Sequence, residues 1–230
     1  MLIELFHGSD HIVEVPQYAY GREDNDYGRG FYLTKIAERA DEWALLNGTE
    51  VAVTNRYNLE LSNLTILDLD NSGPLSWIAE VIYHRGVSSQ IGKEFKEKII
   101  EKYRVDTTDA DIVKGYRADD SYGDVIEAFM AAEITVEEVK KLFYKGELGI
   151  QYMLKSQKAF DAIRFVDSYT PKEKEEIGNS ISIARREVTD YLTNRRVQIA
   201  KRFVVPAITV VDAIENNYRY VKDGGYYEKI

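Results

Sequence analysis

Apolar and polar positions change their period several times along the chain, and each change marks an expected element. Leu2-Ile3-Glu4-Leu5-Phe6 is a short apolar run that stops at His7-Gly8-Ser9, which predicts a strand leading into a turn. Gln17 to Asn25 is polar and turn-rich, the pattern of a loop. Gly30 to Leu33 predicts a second short strand. Thr34 then stands where it can cap a helix whose apolar positions Ile36, Ala40, Trp43 and Ala44 recur at helical spacing. From Val51 to Leu59, alternation places Val51, Val53, Tyr57 and Leu59 on one face of a strand, with Asn55 interrupting that face; Leu64 to Leu69 is a further candidate strand.

The middle of the chain turns helical. Ser76 to Arg85 groups Trp77, Ile78, Val81 and Ile82 on one side, and Gln90 to Tyr103 reads as a charged surface helix. Asp111 to Tyr116 predicts a strand followed by a polar turn at Ala118-Asp119-Asp120. Val125, Ile126, Phe129 and Met130 mark a helix, and Thr135 with Glu138 forms a capping box for another that carries Val136, Val139, Leu142 and Phe143. Gly149 to Lys155 predicts a strand with Gln151 at its start, Gln157 to Ile163 a short helix, and Arg164 to Val166 a strand. Thr170-Pro171-Lys172-Glu173 opens a long helix whose stripe is Ile177, Ile181, Ala184, Val188 and Tyr191; Val204 to Ile214 predicts a last strand. Strands and helices are mixed along the chain, with no internal repeat.

Composition narrows the chemistry. With 230 residues, 44% of them hydrophobic and 12% aromatic, the chain is long enough for one domain with a sizeable core. The net charge of -9 argues against a generally basic nucleic-acid binder. The absence of cysteine excludes disulfides, thiolate zinc sites and a thiol nucleophile. The three histidines, His7, His11 and His84, are too scattered to suggest a histidine-rich metal site, so no metal is expected. The N-terminal residues lack the basic flank of a signal peptide, and no apolar run reaches membrane-spanning length, so the expected location is the cytoplasm and no membrane partner is expected. Asp119 and Asp120 read as helix-capping or solvated carboxylates. The basic run Arg185, Arg186, Arg195, Arg196, Lys201 and Arg202 reads as a solvated helix face balanced by neighbouring acids.

The segment Asp26-Tyr27-Gly28-Arg29-Gly30-Phe31-Tyr32-Leu33-Thr34 stands apart from this background. Gly28 and Gly30 permit a sharp turn or a close backbone approach, Arg29 can meet a phosphate, and Phe31 and Tyr32 offer flat faces to a planar ring. Together with His7 they carry the parts of a nucleotide pocket.

These residues resemble the ADP-ribosyltransferase superfamily, whose NAD pocket is built from an early His-Gly strand, a following Tyr strand and a late strand opening with Glu or Gln. More narrowly the chain is similar to a bacterial toxin-like branch of that superfamily, through His7-Gly8-Ser9, Asp26 to Tyr32, Asp111 to Asp120, and Gln151 to Ala159. The resemblance covers residues 1–166 and implies an α+β fold there, a split β-sheet core with surrounding helices; residues 167–230, read from their pattern as a long helix plus a strand, form a C-terminal extension that it does not reach. It implies NAD as co-substrate and His7, Tyr32 and Gln151 as the catalytic set: His7 on the adenine-side ribose, the Gly8 backbone on the nicotinamide carboxamide, Tyr32 stacked on the nicotinamide ring, and Gln151 on the nicotinamide-side ribose. Ser9, Gly28, Arg29, Gly30, Phe31 and Thr34 complete the implied pocket.

The third residue departs from the commoner Glu. An amide oxygen accepts a hydrogen bond but takes no proton as a general base and carries no full charge. The expected reaction is therefore a single ADP-ribose transfer from NAD to a protein or nucleic acid, or NAD hydrolysis, and not polymerisation. The resemblance also implies a toxin of a toxin-antitoxin system with an antitoxin partner. The alternatives are a non-catalytic NAD or ADP-ribose binding module and a partner-binding protein working through its C-terminal helix.

Overall fold

The computed structural model describes residues 1–46, 50–87, 90–118, 120–143, 149–171, 186–198 and 208–230. The fold is mixed α/β, and by contact the chain separates into two compact units that interleave in sequence: 1–68, 106–117 and 148–181 in one, 69–105, 118–147 and 182–230 in the other. The sequence-based division instead cuts the chain once, after residue 166.

The first unit holds the strands β1 (Leu2–Ser9), β2 (Phe31–Thr34), β3 (Val53–Glu60), β4 (Ile66–Asp68), β5 (Ile112–Tyr116), β6 (Ile150–Leu154) and β7 (Ile163–Tyr169), with helices α1 (Ala37–Leu46) and α7 (Gln157–Ala162). They form one sheet in the order β4-β5-β6-β2-β1-β3-β7. Only β4 and β5 run parallel; the other neighbours are antiparallel. One face carries the core of this unit: Leu5, Leu33, Tyr57, Leu59, Ile112, Tyr152 and Leu154, closed by Ala159 and Phe160 of α7. Fully buried Leu5 and Leu59 each contribute about 2 kcal/mol by removal from water. Helix α7 is anchored by Ser156, whose Oγ accepts from Ala159 N at 3.1 Å and donates to Asp111 Oδ1 at 2.5 Å.

Helix α1 lies against the other face, over Gly8. A Cβ at Gly8 would overlap the Ala40 carbonyl oxygen and lie 2.6 Å from Ala44 N, so the helix packs this closely only because position 8 has no side chain. Ala40 and Ala44 face inward as their spacing predicts, but Ile36 and Trp43 do not: both are exposed. Ile36 precedes the helix, and Trp43 turns outward beneath the Arg117 guanidinium, 4.9 Å from its ring centroid. Thr34 belongs to β2; its Oγ1 accepts from Ile36 N at 3.2 Å, a turn before the helix in place of the expected cap.

The second unit holds α2 (Leu69–Ser72), α3 (Pro74–Arg85), α4 (Gln90–Tyr103), α5 (Asp120–Met130), α6 (Val136–Phe143), a helix α8 over described residues 186–198, α9 (Val210–Glu215), and the hairpin of β8 (Tyr218–Val221) and β9 (Tyr226–Lys229). The inward stripe of α3 includes Trp77, Ile78, Val81 and Ile82 as expected, and Val125, Ile126, Phe129 and Met130 of α5 are buried. The Thr135/Glu138 capping box forms, with Thr135 N donating to Glu138 Oε2 at 2.8 Å and Glu138 N to Thr135 Oγ1 at 3.3 Å.

Two expectations change here. The predicted strand Val204–Ile214 lies partly outside the described residues, and its end, Val210–Glu215, is helical. A second capping box decides this: Thr209 Oγ1 accepts from Asp212 N at 3.2 Å and Thr209 N donates to Asp212 Oδ2 at 3.0 Å, which starts a helix despite two adjacent valines. In the basic run, Arg195 is buried with its Nε 2.9 Å from Glu138 Oε1, whereas exposed Arg196 pairs with Glu133 at 2.8 Å. Arg185, Lys201, Arg202 and the start of the long predicted helix, with Ile177, Ile181 and Ala184, lie outside the described residues. Among the described residues no helix is long and apolar enough to cross a membrane.

Candidate functional site

The sheet of the first unit is nearly two sheets. All eight residues of β1 pair with β3 and all four of β2 pair with β6, yet β1 and β2 share one register pair, Phe6 with Thr34. Beyond it the strands diverge, and His7 stands at the parting. Its Nδ1 lies 2.8 Å from the carbonyl oxygen of Tyr32, so a side chain supplies the link that the backbones no longer make.

That contact fixes the chemistry of His7. A carbonyl only accepts, so Nδ1 carries the proton and Nε2 presents a lone pair. Burial holds the imidazole well below its ordinary value, at about 4, outweighing the opposing effect of the bond to Tyr32; the ring is neutral at neutral pH. The ring packs on Phe31, with centroids 4.4 Å apart, and Phe31 in turn meets Tyr57 at 5.6 Å and Phe160 at 6.3 Å. Phe31 is thus a core residue as well as the wall behind His7.

Neighbouring strand residues point to opposite faces, so Tyr32 projects away from Phe31 and His7. Its hydroxyl donates to Gly28 O at 2.7 Å and accepts from Tyr27 N at 3.0 Å. The rings of Tyr27 and Tyr32 lie 6.4 Å apart and nearly parallel, and the Tyr27 hydroxyl donates to Tyr116 O. Gly28 takes φ 82, the left-handed conformation that makes this sharp turn without strain. Gly30 answers a different need: a Cβ there would collide with the Met153 side chain and lie 2.6 Å from Leu154 O.

Gln151 shares the Tyr32 face, since it pairs with Thr34, two residues along β2. Its Nε2 donates to Asp26 Oδ2 at 2.7 Å and lies 3.4 Å from Tyr116 O. Both Gln151 and Asp26 are buried, at 8% exposure each. Tyr32 and Gln151 therefore meet through the turn at residues 26–28, while His7 reaches Tyr32 only through its backbone carbonyl.

The remaining sequence-derived positions divide in role. Ser9 Oγ donates to His11 O at 2.6 Å and accepts from Asn55 Nδ2 at 2.9 Å. Arg29 is exposed and pairs with Glu23 at 2.7 Å. Gly8, as shown, is required by α1. Two residues escaped the sequence-derived set. Asp26 sat in the motif without a role, because nothing local says which side chain it meets. Asn55 read as a flaw in a strand face, but it is fully buried and its Oδ1 accepts from Val13 N at 2.9 Å, pinning the chain after β1. A polar residue interrupting an otherwise apolar face was the available signal. Among the described residues, no group of three or more His, Asp or Glu side chains is placed to hold a metal ion.

Fold and site together define a mixed α/β protein whose central sheet parts beside a tightly anchored glycine turn. The chain belongs to the family described as "Protein of unknown function (DUF3990)", whose sequence model matches residues 3–165, from within β1 to the first residues of β7, and includes His7, Tyr32 and Gln151. No curated protein and no solved structure matches the chain.

Proposed function

We propose that this protein is a mono-ADP-ribosyltransferase, built on the split-sheet core of the ADP-ribosyltransferase superfamily and acting on a protein or nucleic-acid acceptor. The observation that carries the reading is the gap between β1 and β2, bordered by a neutral His7 with Nε2 as acceptor, a Tyr32 ring locked through its hydroxyl, and a Gln151 amide locked through its nitrogen. These are the residues that the superfamily resemblance assigns to NAD.

In this reaction the bond between the ribose anomeric carbon and the nicotinamide nitrogen breaks. Its electron pair leaves with neutral nicotinamide, and the cationic sugar is captured by a lone pair of the acceptor, whose proton passes to solvent. His7 Nε2 accepts from a hydroxyl of the adenine-side ribose, and the Tyr32 ring holds the nicotinamide at little entropic cost because it is already immobile. Gln151 Oε1, which accepts no hydrogen bond from the described residues, accepts from the nicotinamide-side ribose and favours charge developing on that sugar. A role as a toxin, with an antitoxin partner, belongs to the same proposal.

The experiment is to incubate the protein with NAD labelled in either half and with protein and nucleic-acid acceptors. Nicotinamide release with transfer of the ADP-ribose label is expected, and Tyr32→Ala and Gln151→Ala should each lower turnover at least about tenfold without unfolding the chain. No release and no transfer with any acceptor would overturn the reading. A second reading has one observation in its favour: Gln151 is a neutral amide where the commoner acid would be. Tight NAD binding by calorimetry without turnover would identify a binding module.

A further inference from the structure

The same amide poses a problem that its surroundings answer. Amide nitrogen and oxygen are nearly isosteric, so Gln151 could present either end to the gap. Its two close neighbours on one side, the Asp26 carboxylate at 2.7 Å and the Tyr116 carbonyl at 3.4 Å, can only accept when the carboxyl is ionised. Turning the amide over would face its oxygen with two further acceptors, so Nε2 points to Asp26 and Oε1 points away.

Asp26 is itself held from two sides. The next residue, Tyr27, gives its N–H to the Tyr32 hydroxyl at 3.0 Å and its own hydroxyl to Tyr116 O, and Gly28 O receives the Tyr32 hydroxyl at 2.7 Å. The aromatic pair, the glycine turn and β5 therefore converge on one outcome, a buried carboxylate placed directly behind the amide. Burying a carboxylate is costly unless it is partnered, and the Gln151 amide is one of its partners.

We propose that Asp26 is the positioning residue of this site and the source of its negative charge. It fixes Gln151 with Oε1 toward the sugar and, by accepting from Nε2, polarises the amide so that Oε1 accepts more strongly. The charge missing at position 151 is thus supplied one hydrogen bond behind it, where it opposes the positive charge that grows on the ribose as the glycosidic bond breaks and the electron pair departs with nicotinamide. Asp26 contacts neither the sugar nor the leaving group. This inference rests on the transferase reading.

The test exchanges the two groups. Asp26→Asn keeps a hydrogen-bonding partner of the same size but removes the charge; kcat for nicotinamide release should fall about 10- to 100-fold, with KM for NAD within about threefold. In a Gln151→Ala background the same substitution should change kcat less than about twofold, because Asp26 acts through the amide. The exchange variant, Asp26→Asn with Gln151→Glu, moves the carboxylate to position 151 and places an amide behind it that can donate to it. It should recover kcat to within about fivefold of the wild type.

Wild-type rates in Asp26→Asn, or a folded exchange variant no faster than Asp26→Asn, would overturn the inference. If Asp26→Asn does not fold, the exchange variant decides alone: folded and active supports the inference, folded and inactive overturns it. A merely structural Asp26 would not give rescue by a carboxylate at 151. Absence of turnover in the wild type sinks the transferase reading itself, whereas turnover that ignores position 26 sinks only this inference.

Discussion

The connection between β1 and β2 is anchored at both ends by buried polar side chains, but the two anchors differ in kind. At its start, Asn55 on β3 receives Val13 N at 2.9 Å and donates to Ser9 Oγ at 2.9 Å, while Tyr57 donates its hydroxyl to Val13 O at 2.5 Å. Every group there is neutral, and the network closes on backbone. At its end, Tyr32 and Gln151 hold residues 26–28, and a carboxylate enters the network at Asp26. Neutral groups suffice to fix a loop. The second anchor adds a buried acidic side chain, and it lies beside the candidate reaction site. The first anchor is therefore expected to govern stability and the second to govern chemistry.

The largest expected effect that can break this comparison is on stability at the first anchor. Asn55→Ala strands Val13 N and weakens the hold on Ser9, which should cost about 3 kcal/mol, read from denaturant midpoints, with kcat per folded molecule within about threefold of wild type. A large loss of kcat without loss of stability would place the chemistry at the wrong end.

The link between the two ends is His7, and acid should test it next. Its folded value, about 4, lies below the ordinary 6.5, so the unfolded chain binds the extra proton first. The His7 contribution to stability is flat above about pH 6.5, declines as pH falls through the window between the two values, and is lost below about 4, a change of up to about 3 kcal/mol. Unfolding free energies at pH 7.5 and 5, compared with those of His7→Gln, should show the wild type losing more on acidification; equal losses would contradict a neutral buried imidazole.

The smallest expected effect on stability sharpens the contrast at the second anchor. Tyr32→Phe removes the acceptor for Tyr27 N and the donor to Gly28 O, and should cost about 1–2 kcal/mol. It should nevertheless lower kcat about tenfold, because the turn that places Asp26 is loosened. Stability loss with unchanged kcat would make the two anchors equivalent.

Much of the local structure was legible from pattern. Strong helical stripes in α3 and α5 and the Thr135/Glu138 capping box appear as read, since these signals are local and repeat within a turn. Trp43 was misread because exposure depends on what lies above the helix, and Arg117 arrives there from a distant segment. The end of the Val204–Ile214 strand was misread because two adjacent valines look extended until the pairing of Thr209 with Asp212 is considered. Asn55 looked like an interruption because its partners lie more than 40 residues away.

The sequence by itself determined which residue types line the candidate site: glycines for the turn, aromatics beside it, a histidine early and an amide late. Residue identity and order are local information. Only the tertiary structure decided that β1 and β2 share a single pair before parting, that burial keeps His7 neutral with Nε2 as acceptor, and that Asp26 stands behind Gln151. Strand register, desolvation and a hydrogen bond across 125 residues arise only when separate segments meet.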